Sequence, residues 1–390
     1  MTNSKEKILV VVSRFPFPLD KGDKLRAYYQ IKELQHEFDV TVVALAHKEI
    51  CQKQLQAIQE ICSELVVCKV NILSKIWNMF LSILNGKPIQ VGYFYNKRAH
   101  RKVNSLIKAS NYKHLFAQLI RTAEYIKNVH HIPKMLDYMD TLSVGIERRI
   151  EQQSIIKRGF FKTEAKRLRK YEQGIFDYFE HKIIISEQDK NLIQHPEKSK
   201  IVCVPNGIDT TFFNAPPVEV EFDFVFVGNM SYPPNIEAAH YISEKILPYF
   251  KTSSILIAGA SPSSSVQSLA KNNKYITITG WVDDIKISYM QGAIFIAPMQ
   301  IGTGMQNKLL EAMALGIPCV TTPLANNAIG AKNQYEIMVG ENEKELIECI
   351  GKLRNDQDFS NLIGENGAKF VQNNYQWKKT TAIMIDLINN

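Results

Sequence analysis

The sequence predicts an α/β protein built from two doubly wound, parallel-sheet domains. Three observations lead there. Short, continuous apolar runs such as ILVVV at residues 8–12 alternate with longer stretches of helical spacing, the pattern of strands buried on both faces between helices. At 390 residues the chain exceeds what one hydrophobic core usually covers. A Pro-Asn-Gly turn at residues 205–207 falls at mid-chain, where a boundary is needed. Residues 1–204 are therefore assigned to a first domain, joined by a final helix over 375–390, and residues 205–374 to a second.

In the first domain the strand at 8–12 runs into a loop over 13–23 that is rich in Pro, Gly and charge, including Gly22. Loops after the carboxyl ends of parallel strands are where open α/β sheets bind ligands. A helix over 24–36, strands at 40–45 and 65–70, and a helix between them follow. Leu73, Ile76, Trp77, Phe80, Leu81 and Leu84 then keep helical spacing up to Gly86 and Pro88. Met79 and Ile83 widen that apolar face, and Lys87, Lys97, Arg98, Arg101 and Lys102 follow with Tyr93, Phe94 and Tyr95 among them. Two readings stand: a helix packed on its own sheet, or an amphipathic element lying in a membrane interface. Strands at 114–120 and 134–139 end near Arg121, Asp137 and Asp140. A mixed-charge helical run spans 146–179, and strands at 182–185 and 201–204 close the domain.

The second domain alternates as regularly, with strands at 222–227, 254–258, 275–279, 294–297, 319–322 and 336–339. Its most informative stretch is residues 293–323, AIFIAPMQIGTGMQNKLLEAMALGIPCVTTP, which reads as strand, glycine loop, helix opening near Met305, glycine stop at Gly316 and strand. Thr303, Gly304, Met305, Gln306 and Asn307 lie where the loop enters the helix. The unpaired amides and dipole of such a helix start favour a phosphate or diphosphate. Lys308 adds a cation, and Glu311, three residues on, shares its face and offers acceptors to a ribose diol. Two further loops after strands carry Asn229 and the pair Trp281 and Val282. Trp281 is suited either to stacking on a base or to the core.

Charge and cysteine content set outer limits. Residues 1–200 hold 34 Lys/Arg against 21 Asp/Glu, a net of +13. The remainder holds 47−34=13 against 39−21=18, a net of −5. The excess positive charge of the first half fits an anionic partner, acidic lipid or nucleic acid, or a scatter of solvated lysines. Six cysteines without a CxxC pair read as reduced residues of a cytoplasmic protein. No signal peptide or bilayer-spanning run is expected.

GTGMQNKLLEAMALGIPCVTT resembles the nucleotide-sugar signature of GT-B glycosyltransferases of the large retaining family 4. VPNGIDTTFF resembles that family's interdomain hinge, and RFPFPLDKGDKLR its first loop, where Gly22 faces the donor diphosphate. The resemblance implies a GT-B fold, two Rossmann-like domains facing each other across a cleft, and a nucleoside-diphosphate sugar as donor, UDP or GDP, with no cofactor. It also implies retention at the anomeric carbon and Glu311 on the ribose. QLIRTAEY and MLDYMDTLSVGIERR are similar to a bacterial subgroup tied to envelope or exopolysaccharide synthesis. Arg121 and Asp140 are accordingly the candidates for handling a glycan or lipid-linked acceptor. The chain departs from the family where Thr303 replaces a second Glu, and where Asn229 and Pro234 replace an Arg and a Lys.

Asp283 and Asp284 lack DxD spacing and no His/Cys cluster is visible, so a metal-independent reaction is expected, with Lys308 and backbone amides meeting the diphosphate charge. Peripheral contact with the inner face of an anionic membrane is expected, and nucleic acid is not. An epimerase of the same fold and a non-catalytic nucleotide- or lipid-binding subunit are the rival readings. A dinucleotide oxidoreductase is disfavoured, because the first strand's loop lacks GxGxxG.

Overall fold

The computed structural model describes residues 5–150, 154–301 and 304–390. The chain divides into two compact units, Met1–Pro205 with Thr380–Asn390, and Asn206–Lys379.

The first unit runs β1 (Lys7–Val12), α1 (Gly22–Leu34), β2 (Asp39–Ala46), α2 (Gln52–Gln59), β3 (Glu64–Lys69), α3 (Ile72–Leu84), α4 (Ile89–Phe94), α5 (Lys97–Ala109), β4 (Tyr112–Gln118), β5 (Lys134–Asp137), α6 (Leu142–Glu147), α7 (Ile155–Ile175), β6 (His181–Ile184), α8 (Glu187–Leu192) and β7 (Val202–Cys203). Its strands form one parallel sheet in the order β3-β2-β1-β4-β5-β6-β7. Strand order reverses between β1 and β4, and a ligand crevice belongs at such a switch point. β1 is buried from Ile8 to Val12 because helices cover both faces of the sheet: alternate residues Leu9 and Val11 join one apolar cluster, Ile8, Val10 and Val12 the other.

The second unit runs β8 (Phe222–Val227), α9 (Pro233–Tyr241), β9 (Ile255–Ala258), α10 (Ser264–Asn272), β10 (Ile276–Ile278), α11 (Ile285–Met290), β11 (Gly292–Ala297), α12 (Asn307–Ala314), β12 (Cys319–Thr321), α13 (Pro323–Asn326), β13 (Met338–Val339), α14 (Glu343–Asn355) and α15 (Gln357–Asn374). Its parallel sheet has the order β10-β9-β8-β11-β12-β13, with the switch between β8 and β11. The last helix, α16 (Trp377–Asn389), starts in this unit. From Thr380 it belongs to the first, where Met384 and Ile388 are buried against the β1 and β2 cluster.

Several boundaries differ from expectation for local reasons. The strand expected over 134–139 ends at Asp137, because that carboxylate accepts the amide of Met139 at 2.8 Å and Met139 turns with φ of 65°. The strand expected over 114–120 stops at Gln118, where Leu119 takes φ of 67° and opens a 3-10 turn over Ile120–Tyr125. The final helix begins at Trp377 rather than 375. Tyr375 and Gln376 instead lie beside Ile208, whose amide donates to Tyr375 O at 2.5 Å. α12 opens at Asn307, two residues past Met305, since Gly304 (φ 73°) and non-helical Gln306 (φ −90°, ψ 87°) still belong to the loop. Among the described residues of the helical run expected over 146–179, α6 ends at Glu147, α7 covers Ile155–Ile175 and a 3-10 turn follows over Phe176–Tyr178.

Candidate active site

The glycine loop of the second unit leads from β11 to α12, so Lys308 and Glu311 lie beside the sheet's switch point. The Lys308 ammonium donates to the Asn235 Oδ1, sits 5.0 Å from the centroid of the Phe226 ring and touches Met299 Sδ at 3.9 Å. Its bonded oxygen belongs to a neutral amide, while Glu311 acts on it through space. Burial therefore dominates and lowers its pKa to about 7. Glu311 accepts the Tyr289 hydroxyl at 2.7 Å, and burial raises its carboxyl above the usual range against the pull of Tyr289 and Lys308. Tyr289 is fully buried on α11, and its phenol is pushed well above the ordinary value by burial and by Glu311.

Asn235 ties two loops together. Its amide nitrogen donates to Asn229 O at 2.9 Å while its oxygen meets Lys308. A Cβ at Gly228 would come within 2.6 Å of Asn235 Nδ2, and one at Gly259 (φ 131°) within 2.0 Å of Gly228 O. Glycine at both positions lets the loops after β8 and β9 close on each other. The Asn229 side chain turns inward on its own loop, its Oδ1 accepting the Ser231 amide and hydroxyl at 3.0 and 2.7 Å. Asn307 Oδ1 accepts from Asn206 at 3.2 Å, and the Gln306 amide reaches back to Gly304 O at 3.4 Å. Met305 packs against the core. Thr303 lies outside the described residues. Trp281 is 71% exposed and Val282 half-buried on the loop before α11, which Asp284 caps through the Lys286 amide.

In the first unit, Gly22 is the first residue of α1. A Cβ there would meet only Met139 Cε at 3.5 Å, an ordinary contact, so packing does not by itself demand glycine. Arg121 lies on the 3-10 turn after β4. It donates to Gln90 Oε1 at 3.0 Å, stands 4.0 Å from Asp23 Oδ2, and covers the Phe94 ring at 4.8 Å. Arg14 pairs with the same Asp23 carboxylate and lies 5.3 Å from the same ring. Burial, then Arg14, lowers the Arg121 pKa, while Asp23 and Asp140 oppose the shift. Asp140 has its pKa raised to about 6, by burial first and then by Asp189, and its Oδ1 has no hydrogen-bond partner. Arg121 and Asp140 thus share one electrostatic neighbourhood. Below it, fully buried Arg26 pairs with Asp137 at 2.5 Å, and Gln30 reaches the same oxygen at 3.2 Å.

Sequence reasoning missed Asn235, Tyr289, Phe226, Arg14 and Asp23. A polar residue one turn into the helix after each switch-point strand was the available signal, and Asn235 and Arg26 both have that placement. Among the described residues, no group of three or more His, Cys, Asp or Glu is placed to hold a metal ion. No described helix is long and apolar enough to cross a membrane.

Two parallel sheets of Rossmann-like order, one with a cation and a carboxylate on a helix after a glycine loop, give an α/β fold similar to that of solved glycosyltransferases. Residues 221–356 match the family described as "Glycosyl transferases group 1" and form a group 1 glycosyltransferase domain. Across 96% of this chain and 97% of the other, the sequence is 22% identical to an uncharacterised 44.6 kDa protein of the cps region of Klebsiella pneumoniae. Across 53% of this chain and 59% of the other, it is 24% identical to the UDP-Gal:alpha-D-GlcNAc-diphosphoundecaprenol alpha-1,3-galactosyltransferase of Escherichia coli. The fold is similar to that of Anabaena HepE in complex with UDP and glucose, with a TM-score of 0.71, 11% identity, and coverage of 98% of this chain and 99% of that one.

Proposed function

We propose that the protein transfers a hexosyl-type sugar from a nucleoside-diphosphate donor to a glycan or lipid-linked acceptor, in cell-envelope or exopolysaccharide synthesis at the inner face of the membrane. UDP is the preferred donor nucleotide, since a neighbour of the same fold binds UDP and a relative is named for UDP-galactose. One observation carries the reading: a half-buried lysine whose ammonium is held by a neutral amide, beside a carboxylate oriented by a buried tyrosine, at the switch point of the sheet.

In this reading Lys308 meets the donor diphosphate, together with backbone amides of residues 303–307. Glu311, aimed by Tyr289, accepts hydrogen bonds from the ribose diol. Trp281 and Val282 border the base, with Asn229 alongside the phosphates. Arg121 and Asp140 hold the acceptor or the transferred sugar. The bond from anomeric carbon to phosphate breaks, the acceptor hydroxyl oxygen bonds to that carbon, and its proton passes to the leaving phosphate, with configuration retained. Lys308 and the amides supply the positive charge, so no metal takes part.

A thermal-shift screen of UDP-, GDP- and ADP-sugars tests this, because a ligand bound only by the folded state raises the melting temperature by mass action. A UDP-sugar should give the largest shift, and the same donor should be consumed only when acceptor is present. Consumption of donor to an epimer without acceptor would overturn the assignment.

A further inference from the structure

Helix α3 is folded inside out. Its buried side chains are Lys75 and Ser82, whereas Ile72, Leu73, Ile76, Trp77, Phe80 and Leu84 point to solvent, with Leu73 72% and Trp77 60% exposed. The polar side is the one fixed to the protein. The Lys75 ammonium lies 5.1 Å from the Tyr93 ring, and Asn78 donates to Tyr95 O at 2.8 Å. α3 also packs so closely on α4 that a Cβ at Gly92 would come within 2.2 Å of Ser82 Oγ and 2.5 Å of Asn78 O. The helix cannot roll to hide its apolar face, and so large an exposed apolar stripe marks an interaction surface.

The surroundings identify the partner. No Asp or Glu stands between Glu64 and Glu124, while Lys and Arg occur ten times there. Lys97, Arg98, Arg101, Lys102 and Lys108 are exposed on α5, which starts where Asn78 meets Tyr95. Arg167 of α7 reaches Ile83 O at 3.3 Å, and two turns earlier Phe160 is exposed between the exposed Lys157 and Lys162. Pairing two copies of this chain through α3 would press these basic surfaces together. An anionic lipid surface complements them and takes the apolar stripe into its acyl boundary.

We propose that the outward face of α3 is a docking surface for an anionic bilayer, with Leu73, Ile76, Trp77 and Phe80 inserted at the interface and the basic residues of α5 and α7 on the head groups. The site is separate from the residues assigned to sugar transfer, and its test reads binding alone.

Full-length protein is sedimented with phosphatidylcholine vesicles, with and without phosphatidylglycerol. Wild type should bind the phosphatidylglycerol vesicles, less so at high salt. Ile76→Asp/Phe80→Asp should lose about tenfold or more in affinity while melting no lower, since both side chains are exposed. Arg101→Glu/Lys108→Glu should weaken binding to the anionic vesicles only. Trp77 emission should shift to the blue on binding, a change absent in Trp77→Phe. Wild type that stays in the supernatant, or a double Asp variant that binds as well as wild type, overturns the proposal. So does a dimer in solution that the double Asp variant splits without any vesicle binding.

Discussion

The two sheets end in opposite electrostatic arrangements. At the carboxyl end of the first, Arg14 and Arg121 close on Asp23, and Arg26 closes on Asp137, so each carboxylate is met by a guanidinium. At the carboxyl end of the second, Lys308 meets a neutral amide oxygen and Glu311 meets a phenol. One sheet end sets its cations directly on carboxylates, while the other gives its cation a neutral amide and its carboxylate a phenol. The lysine pKa is accordingly lowered, with burial as the first cause.

The largest effect that would break this contrast comes from Lys308→Met. Sugar transfer should fall about 100-fold or more, the loss expected when a group that stabilises developing charge is removed. Stability should move the other way. A lysine with a folded pKa near 7 binds fewer protons than its unfolded counterpart between pH 7 and its ordinary value, so the wild type gains stability as pH rises through that window. Below it the buried charge is fully penalised, and the variant should melt a few degrees higher at pH 7. Equal activity in the variant, or a lower melting temperature, would remove Lys308 from the assigned role. By the same titration, donor affinity should decline as pH rises past about 7.

Asp140→Asn probes the other side and should cost about 10- to 100-fold in transfer, through acceptor handling. Its carboxyl is raised to about 6, so its stabilising contribution is complete below the unfolded carboxylate range and gone above pH 6. The variant should therefore gain on wild type by about 1–3 kcal/mol as pH goes from 4 to 7 in chemical denaturation. A pH-independent difference would mean that Asp140 does not titrate as described. The smallest effect sharpens the comparison. Tyr289→Phe leaves Glu311 in place but unaimed, and should raise the donor KM by about three- to tenfold with kcat nearly unchanged.

What sequence could and could not convey follows from distance along the chain. The strand, glycine loop and helix carrying Lys308 and Glu311 are contiguous, so their local order was readable, with an error of two residues at the helix start. Asn235 is 73 residues from Lys308, and Tyr289 is 22 from Glu311. Sheet order, not spacing, brings them together. The Arg26–Asp137 pair, 111 residues apart, is hidden for the same reason. Helix α3 shows a different limit. Its periodicity disclosed a wide apolar face but not its direction, because the preference of polar Lys75, Asn78 and Ser82 for α4 depends on partners that a single helix pattern does not contain.

The return of Met384 and Ile388 to the first unit has a consequence for biosynthesis. The amino-terminal sheet leaves the ribosome first, yet the last eleven residues of its fold are translated only after the whole second unit. Nascent chains must carry an unsealed apolar flank until residues 380–390 emerge. A gene fragment stopping at Pro205 would yield a polypeptide prone to aggregate, and appending residues 380–390 through a short linker is the remedy that the topology suggests.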